Sequence, residues 1–163
     1  MDLNAFANKV KKFNPEIKKF LDQLKRKKVR NLDYIFQDAH EEVFAKTDCL
    51  TCANCCKTTS PIFQDRDVVR IAKRLRMPAS EFISTYLRVD EDNDYVLQTA
   101  PCAFLGPDNY CSIYEDRPNA CRDYPHTDRK NMFQILDLTY KNTMVCPAVL
   151  QIVEEVKKKL DNS

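Results

Sequence analysis

Eight cysteines carry the chemistry available to this sequence. Cys49, Cys52, Cys55 and Cys56 lie within eight residues, and Cys102, Cys111, Cys121 and Cys146 follow at wider intervals. Such a set supports either four disulfides or thiolate ligation of metal. Disulfide-stapled domains are typically secreted and shorter than about 80 residues. This chain has 163 residues, and its opening Met1-Asp2-Leu3-Asn4 is acidic, without the apolar segment of a secretory signal. The expectation is a reducing cytoplasm and cysteines that bind metal.

A Cys-x-x-Cys step lets a tight loop present two thiolates to one metal, and Cys49-x-x-Cys52-x-x-Cys55 presents three. Bacterial ferredoxins use such a run with a further Cys-Pro, which Cys146-Pro147 supplies remotely. Structural zinc uses the same steps, so zinc and iron, the latter as one or two [4Fe–4S] clusters, are both admitted. Neighbouring side chains diverge, so Cys55 and Cys56 are expected to serve two sites or two faces of one cluster. Eight thiolates divide most simply into two sets of four. Two Cys₄ centres of charge −2 each would turn the formal net charge of +2 into −2. Buried dianions need donors or cations nearby. Arg117 and Arg122, flanking Cys121, are the candidates, with surface pairing to Asp116 or Glu115 as the plainer alternative. His126 is a further candidate, as ligand, acid/base group or proton donor beside the metal, or simply as a polar surface residue.

Other chemistry fits less well. His40-Glu41 begins like a zinc-protease motif, but Phe44 occupies the second histidine position. Asp90, Asp92 and Asp94 open like a calcium loop, yet Tyr95 replaces its glycine and Pro101 its closing glutamate. A nucleophilic Cys121–His126 pair would leave seven cysteines unexplained. Tyr114 and Tyr124 are expected to pack around the cluster.

The elements that position these residues read as helices. Phe6, Val10, Phe13, Ile17, Phe20 and Leu24 recur every three or four residues, although Pro15 should break or kink the run. Leu32, Ile35, Phe36, Ala39, Val43 and Phe44 form a second stripe. Residues 1–46 therefore predict an antiparallel helical hairpin, able to pack on the rest or to meet a protein partner or a second copy. Helices are expected over Asp65–Met77 and after a Ser80 cap, and residues 147–160 close the chain as a helix with Pro147 in its first turn. Tyr95–Thr99 reads as a strand, with Ile135–Leu138 as its expected partner.

Composition bounds the rest. Hydrophobic residues make up 44% and charged residues 31%, an ordinary globular balance, and no apolar run reaches the length of a membrane span. Lys25–Lys28 with Arg30 reads as a solvated helix end, since the near-neutral chain makes nucleic acid an unlikely partner. One glycine, where about eleven is usual, disfavours phosphate loops and turn-dense β folds.

The cysteine blocks resemble a known family. Cys49-Leu50-Thr51-Cys52-Ala53-Asn54-Cys55-Cys56 matches an opening CxxCxxCC motif, and Pro101-Cys102-Ala103-Phe104-Leu105 a second block. Cys111-Ser112-Ile113-Tyr114-Glu115-Asp116-Arg117-Pro118-Asn119-Ala120-Cys121-Arg122-Asp123-Tyr124-Pro125 resembles a third, and Cys146-Pro147 looks like the closing cysteine. The chain thus resembles the YkgJ-type cysteine-cluster family, a zinc- or iron-chelating domain, over about residues 47–148. The resemblance implies metal chelation with all eight cysteines in place. Larger relatives with a similar cluster are flagellin lysine methylases. They have sequence absent here, so that activity is not carried over.

The expectation is a small, mainly α domain with irregular cysteine-rich loops and room for one short β-hairpin. It comprises a helical extension (1–46), a cysteine-cluster domain (47–148) and a closing helix (149–163). The leading function is a metal-binding protein ligated by eight thiolates. The alternatives are an iron–sulfur redox or modification enzyme and a zinc-stabilised protein-binding module.

Overall fold

The computed structural model describes residues 3–162. Across them lie α1 (Leu3–Lys27), α2 (Leu32–Phe44), α3 (Asn54–Thr58), α4 (Asp65–Leu75), α5 (Ala79–Tyr86), β1 (Leu87–Val89), β2 (Tyr95–Leu97), α6 (Asn119–Asp123), α7 (Leu136–Thr143) and α8 (Pro147–Asp161). The fold is mainly helical, with one two-stranded sheet, as the residue pattern predicts. No helix among the described residues is long and apolar enough to cross a membrane. The chain divides into two compact units. One runs to Cys49 and resumes at Pro125; the other is Leu50–Tyr124. The first unit therefore takes in the amino-terminal helices, the closing helix and residues 125–146, which the sequence grouped with the cysteine blocks.

In the first unit α8 is the centre. Val149, Ile152, Val153 and Val156 are fully or almost fully buried, at the three- and four-residue spacing of one helix face. Pro147 opens the helix where its missing N–H costs nothing. Phe36, Ala39 and Val43 of α2 pack against α8, and α1 lies against α7 and α8. The helices α1 and α2 are joined chiefly through these later helices. α1 also runs unbroken through Pro15. Proline inside a helix costs about 3 kcal/mol. The buried side chains on either side of it, Phe6 before and Ile17, Phe20, Leu21 and Leu24 after, each contribute about 1.5–3 kcal/mol and outweigh that cost.

The strand expected at Ile135–Leu138 is instead helical. The Asp33 carboxylate accepts the Asn131 and Met132 backbone N–H groups at 2.7 and 2.8 Å and fixes a 3₁₀ turn over Met132–Gln134. α7 starts directly after it and buries Leu136, Thr139, Asn142 and Thr143. That spacing is helical, and three apolar residues in four were too short a run to reveal it.

In the second unit β2 pairs with β1, with Leu87 opposite Leu97 and Val89 opposite Tyr95. The connecting acidic turn is a self-contained device. Asp90 Oδ1 accepts the N–H groups of Asp92 and Asp94, both at 3.0 Å, which occupies the carboxylate locally. α4 ends at Leu75 with Arg76 in the left-handed region. Pro78, rather than Ser80, takes the N-cap position of α5, because its extended conformation ends one segment and its carbonyl opens the next. The core comprises Phe63, Val68, Ile71, Phe82, Leu87, Leu97, Phe104 and Ile113. Phe82 is fully buried at its middle, with ring centroids 5.3 Å from Tyr86, 6.1 Å from Phe63 and 6.2 Å from Phe104.

Truncating Phe82 removes the ring on which this small core converges. Phe82→Ala is expected to destabilise the protein by about 3–5 kcal/mol, read as a lowered urea midpoint. A loss below about 1 kcal/mol would mean that the core closes without it.

Candidate metal centre

Six of the eight cysteines, Cys52, Cys55, Cys56, Cys102, Cys111 and Cys121, lie in the second unit. Cys49 and Cys146 belong to the first. Cys49 is exposed and the other seven are partly buried.

Three backbone devices bring four of the six together. The opening loop turns at Ala53, whose φ of 49° is left-handed, and enters α3 with Cys55 and Cys56 in its first turn. The Lys57 ammonium closes this turn by donating to the Cys52 carbonyl at 3.0 Å. From the end of the turn, the Cys56 carbonyl accepts the Cys102 backbone N–H at 2.8 Å. Cys102 and Cys111 then sit on either arm of a small hairpin. Its rungs are Ser112 N–H to the Phe104 carbonyl at 2.8 Å and Gly106 N–H to the Tyr110 carbonyl at 2.7 Å. Both cysteines pack against the core around Phe104 and Ile113. Gly106, the one glycine, occupies the tightest point. A Cβ there would lie 2.7 Å from the Asp108 carboxylate and 3.3 Å from the Tyr110 carbonyl.

The third device positions Cys121 on α6. Asp67 of α4 has no exposed surface, and its carboxylate accepts from three directions. It takes Arg70 Nη2 at 2.7 Å, the Gln64 N–H at 3.1 Å and the N–H of Asn119, the first residue of α6, at 3.3 Å. Arg70 continues the link, donating to the carbonyls of Asp116 at 3.2 Å and Arg117 at 2.9 Å. A buried anion at a helix N-terminus is favourable, and its guanidinium partner meets the desolvation cost in part. Neither residue was singled out from sequence. The available signal was Gln64-Asp65-Arg66-Asp67, polar residues three apart before an apolar run, which is the pattern of a helix capping box.

The thiols respond to one another. Burial pushes the Cys121 thiol up to about 12, and the charges of Cys56, Cys102 and Cys111 add to the effect. Cys102 and Cys111 are also raised, by burial first and by Cys56 in addition. Arg117 opposes this at Cys111 and Cys121. Cys56 moves the other way, to about 7, because Cys55 hydrogen-bonds to it and Lys57 lies near. The Cys55 and Cys56 sulfurs are 4.0 Å apart. Two thiolates on one tetrahedral metal with bonds of about 2.3 Å stand roughly 3.8 Å apart, so adjacency does not force this pair onto separate ions. Among the described residues, no group of three or more Cys, His, Asp or Glu side chains stands close enough together to hold a metal ion. The donor set nevertheless fits a thiophilic cation. Thiolate sulfur is the ligand zinc and iron–sulfur centres take, and positive charge among crowded thiols favours their ionised form.

The remaining candidates fall elsewhere. The Arg117 guanidinium stacks on the Tyr114 ring at 3.9 Å and donates to the Tyr114 carbonyl at 2.6 Å. Tyr114 is therefore an exposed platform for Arg117 rather than packing around the cysteines. Arg122 donates to the Arg117 carbonyl at 3.3 Å and to the Glu115 carbonyl, which stiffens the turn before Cys121. Asp116 pairs with Arg74 at 3.5 Å. His126 lies in the first unit with a φ of 65°. His40 rests on Phe44, ring centroids 4.5 Å apart, and its Nδ1 meets the buried Thr127 hydroxyl at 2.7 Å. The residue that ends the zinc-protease pattern is thus its packing partner.

The family model CxxCxxCC, described as "Putative zinc- or iron-chelating domain", matches residues 48–147, which is 100 of the 163 residues. No curated protein and no solved structure matches the chain.

Two substitutions test the supports of the cysteines. Asp67→Ala strands Arg70 and uncaps α6, and is expected to cost about 3 kcal/mol and to lower the metal bound per chain. Unchanged thermal stability and metal content would show that α6 is held by other contacts. Gly106→Ala forces the Asp108 carboxylate off its Tyr110 N–H bond and is expected to cost about 1 kcal/mol. A thermal midpoint at or above that of the parent would exclude the crowding at this turn.

Proposed function

The chain belongs to the CxxCxxCC family, and on that premise we propose that it chelates metal through a four-thiolate centre built by Cys56, Cys102, Cys111 and Cys121. The observation that carries this reading is the 2.8 Å bond from the Cys102 N–H to the Cys56 carbonyl, which joins the opening cysteine loop to the hairpin bearing Cys111. Cys121, on the helix fixed by Asp67, feels the charge of the other three. Bound zinc would supply a closed structural cross-link, and bound iron a centre for electron transfer.

The roles of the chain's own residues follow. The four thiolates hold the cation. Arg117, braced on Tyr114, balances the excess negative charge from the side of Cys111 and Cys121. Arg122 keeps the preceding turn in register. Cys52 and Cys55 are further ligands on the same loop. A reducing cytoplasm is the setting in which such thiolates keep their metal.

Serine variants made one at a time, with metal analysis and visible spectra after anaerobic purification, test the assignment. Cys56→Ser, Cys102→Ser, Cys111→Ser and Cys121→Ser are each expected to lose the same metal and to lower the thermal midpoint, because structural metal sites are coupled to folding. Any one of the four that leaves metal content and stability untouched removes that cysteine from the centre. Cys55→Ser, Cys49→Ser and Cys146→Ser report whether a second centre exists by the separate metal they lose. A colourless protein with zinc supports the cross-link. A brown protein with iron and sulfide moves electron transfer or redox modification to the front.

A further inference from the structure

The near-neutral net charge averages two opposed parts of the chain. The first 30 residues carry ten Lys and Arg against three Asp and Glu, a balance of +7. The remaining 133 carry sixteen against twenty-one, a balance of −5. Most of the positive part is α1. Its apolar face is buried in the first unit, so its cations are turned outward. They recur in pairs, Lys11-Lys12, Lys18-Lys19 and Lys25-Arg26, at intervals of seven residues. Seven residues are nearly two helical turns, so successive pairs lie about 10.5 Å apart on one side of the helix. Lys9, Lys18 and Lys25 are paired with Glu154, Asp22 and Asp137. Lys11, Lys19, Arg26, Lys27 and Lys28 are exposed and make no ion pair among the described residues.

Beside this row α1 and α7 form a cavity of about 460 Å³, lined by Asn14, Lys18, Lys19, Asp22, Arg26 and Tyr140, with Pro15 at its edge. The Tyr140 ring lies 5.5 Å below the Lys18 ammonium. Asn14 Oδ1 is buried and meets no donor among the described residues. We infer that this face of α1, with the groove it shares with α7, binds single-stranded nucleic acid. The lysine and arginine row tracks phosphates, the Tyr140 ring offers a stacking surface once the Lys18 ammonium swings from it to a phosphate, and Asn14 Oδ1 accepts a base N–H group. Positive grooves with aromatic platforms are how proteins hold unpaired strands. An anionic membrane would use the cations but neither the ring nor the acceptor, and the apolar face of α1 is already committed to the core. An acidic peptide has no base to stack.

The test is fluorescence anisotropy on the metal-loaded full chain with a labelled oligonucleotide of about 12 nucleotides, within the usual footprint of such grooves. Binding is expected to weaken with salt at a logarithmic slope of about −0.7 per phosphate contacted. Lys19→Gln with Arg26→Gln should flatten that slope by about 1.4 and weaken binding roughly tenfold. Lys46→Gln with Lys157→Gln removes the same charge from exposed positions elsewhere in this unit and should change affinity less than about twofold. Equal losses in the two double variants, or no binding at physiological salt, would overturn the inference. Inorganic polyphosphate or anionic vesicles binding as tightly as the oligonucleotide would overturn it in favour of a general anion surface.

Discussion

The second unit is organised around one electrostatic constraint, the gathering of thiols that repel once ionised. Cys56, Cys102, Cys111 and Cys121 arrive from three separate stretches of chain, and each is partly buried. Burial alone opposes thiolate formation, and each neighbouring thiolate opposes it further. The chain therefore fixes the gathering through backbone groups. The Cys102 N–H bond to the Cys56 carbonyl, the rungs beside Gly106 and the triple acceptance at Asp67 act on main-chain positions and leave the sulfurs available. On the proposed reading, a bound cation would supply the last part of the stability of this gathering, as in small thiolate sites generally.

Asp67 shows how the constraint reaches the core. Its helix, α4, buries Val68, Ile71 and Ala72 in the hydrophobic cluster, so the carboxylate is rigidly based. The same side chain then receives the N-terminus of α6. Packing on one side of α4 is thereby converted into position on the other, and the five-residue α6, too short to be stable alone, is held in place. Arg70 extends the connection to the turn carrying Arg117. A buried ion pair adds little net stability, but it discriminates strongly between one register of the loop and another.

Much of this was legible in the sequence, and the failures have physical causes. In the first unit α1, α2 and α8 follow from apolar spacing, because their faces are buried on one side only. Their partners did not follow. α2 finds α8 more than one hundred residues later, and spacing within a segment carries no information on which distant stripe it meets. Of the break or kink expected at Pro15, the break does not occur, because tertiary burial on both sides of the residue overrides the local rule. The cysteines were legible as a set because few other functions need such spacing. Their grouping was not, since it rests on main-chain hydrogen bonds that any residue type can make. Asp67 was missed for a related reason: in sequence it is one of several acids at a helix start, and only its burial distinguishes it.

The scarcity of glycine is part of the same argument. Among the described residues, eight non-glycine residues take a positive φ, and four of them are asparagines, at positions 31, 93, 109 and 131. Asparagine tolerates the left-handed region better than other side chains, and it brings hydrogen-bonding atoms to the turn. Asn109 uses them, donating from its amide to the Leu50 carbonyl at 2.6 Å, so a turn of the hairpin between Cys102 and Cys111 is tied to the opening cysteine loop. A glycine at 109 would form the turn and lose that tie. The left-handed Ala53 makes the same point from the other side. It has no such atoms, and its strained φ at the entrance to α3 is sustained by the structure around it. The turn at Asn109, which could otherwise act as a free hinge, is connected to the opening cysteine loop, and this limits the arrangements open to the thiols on either side of it.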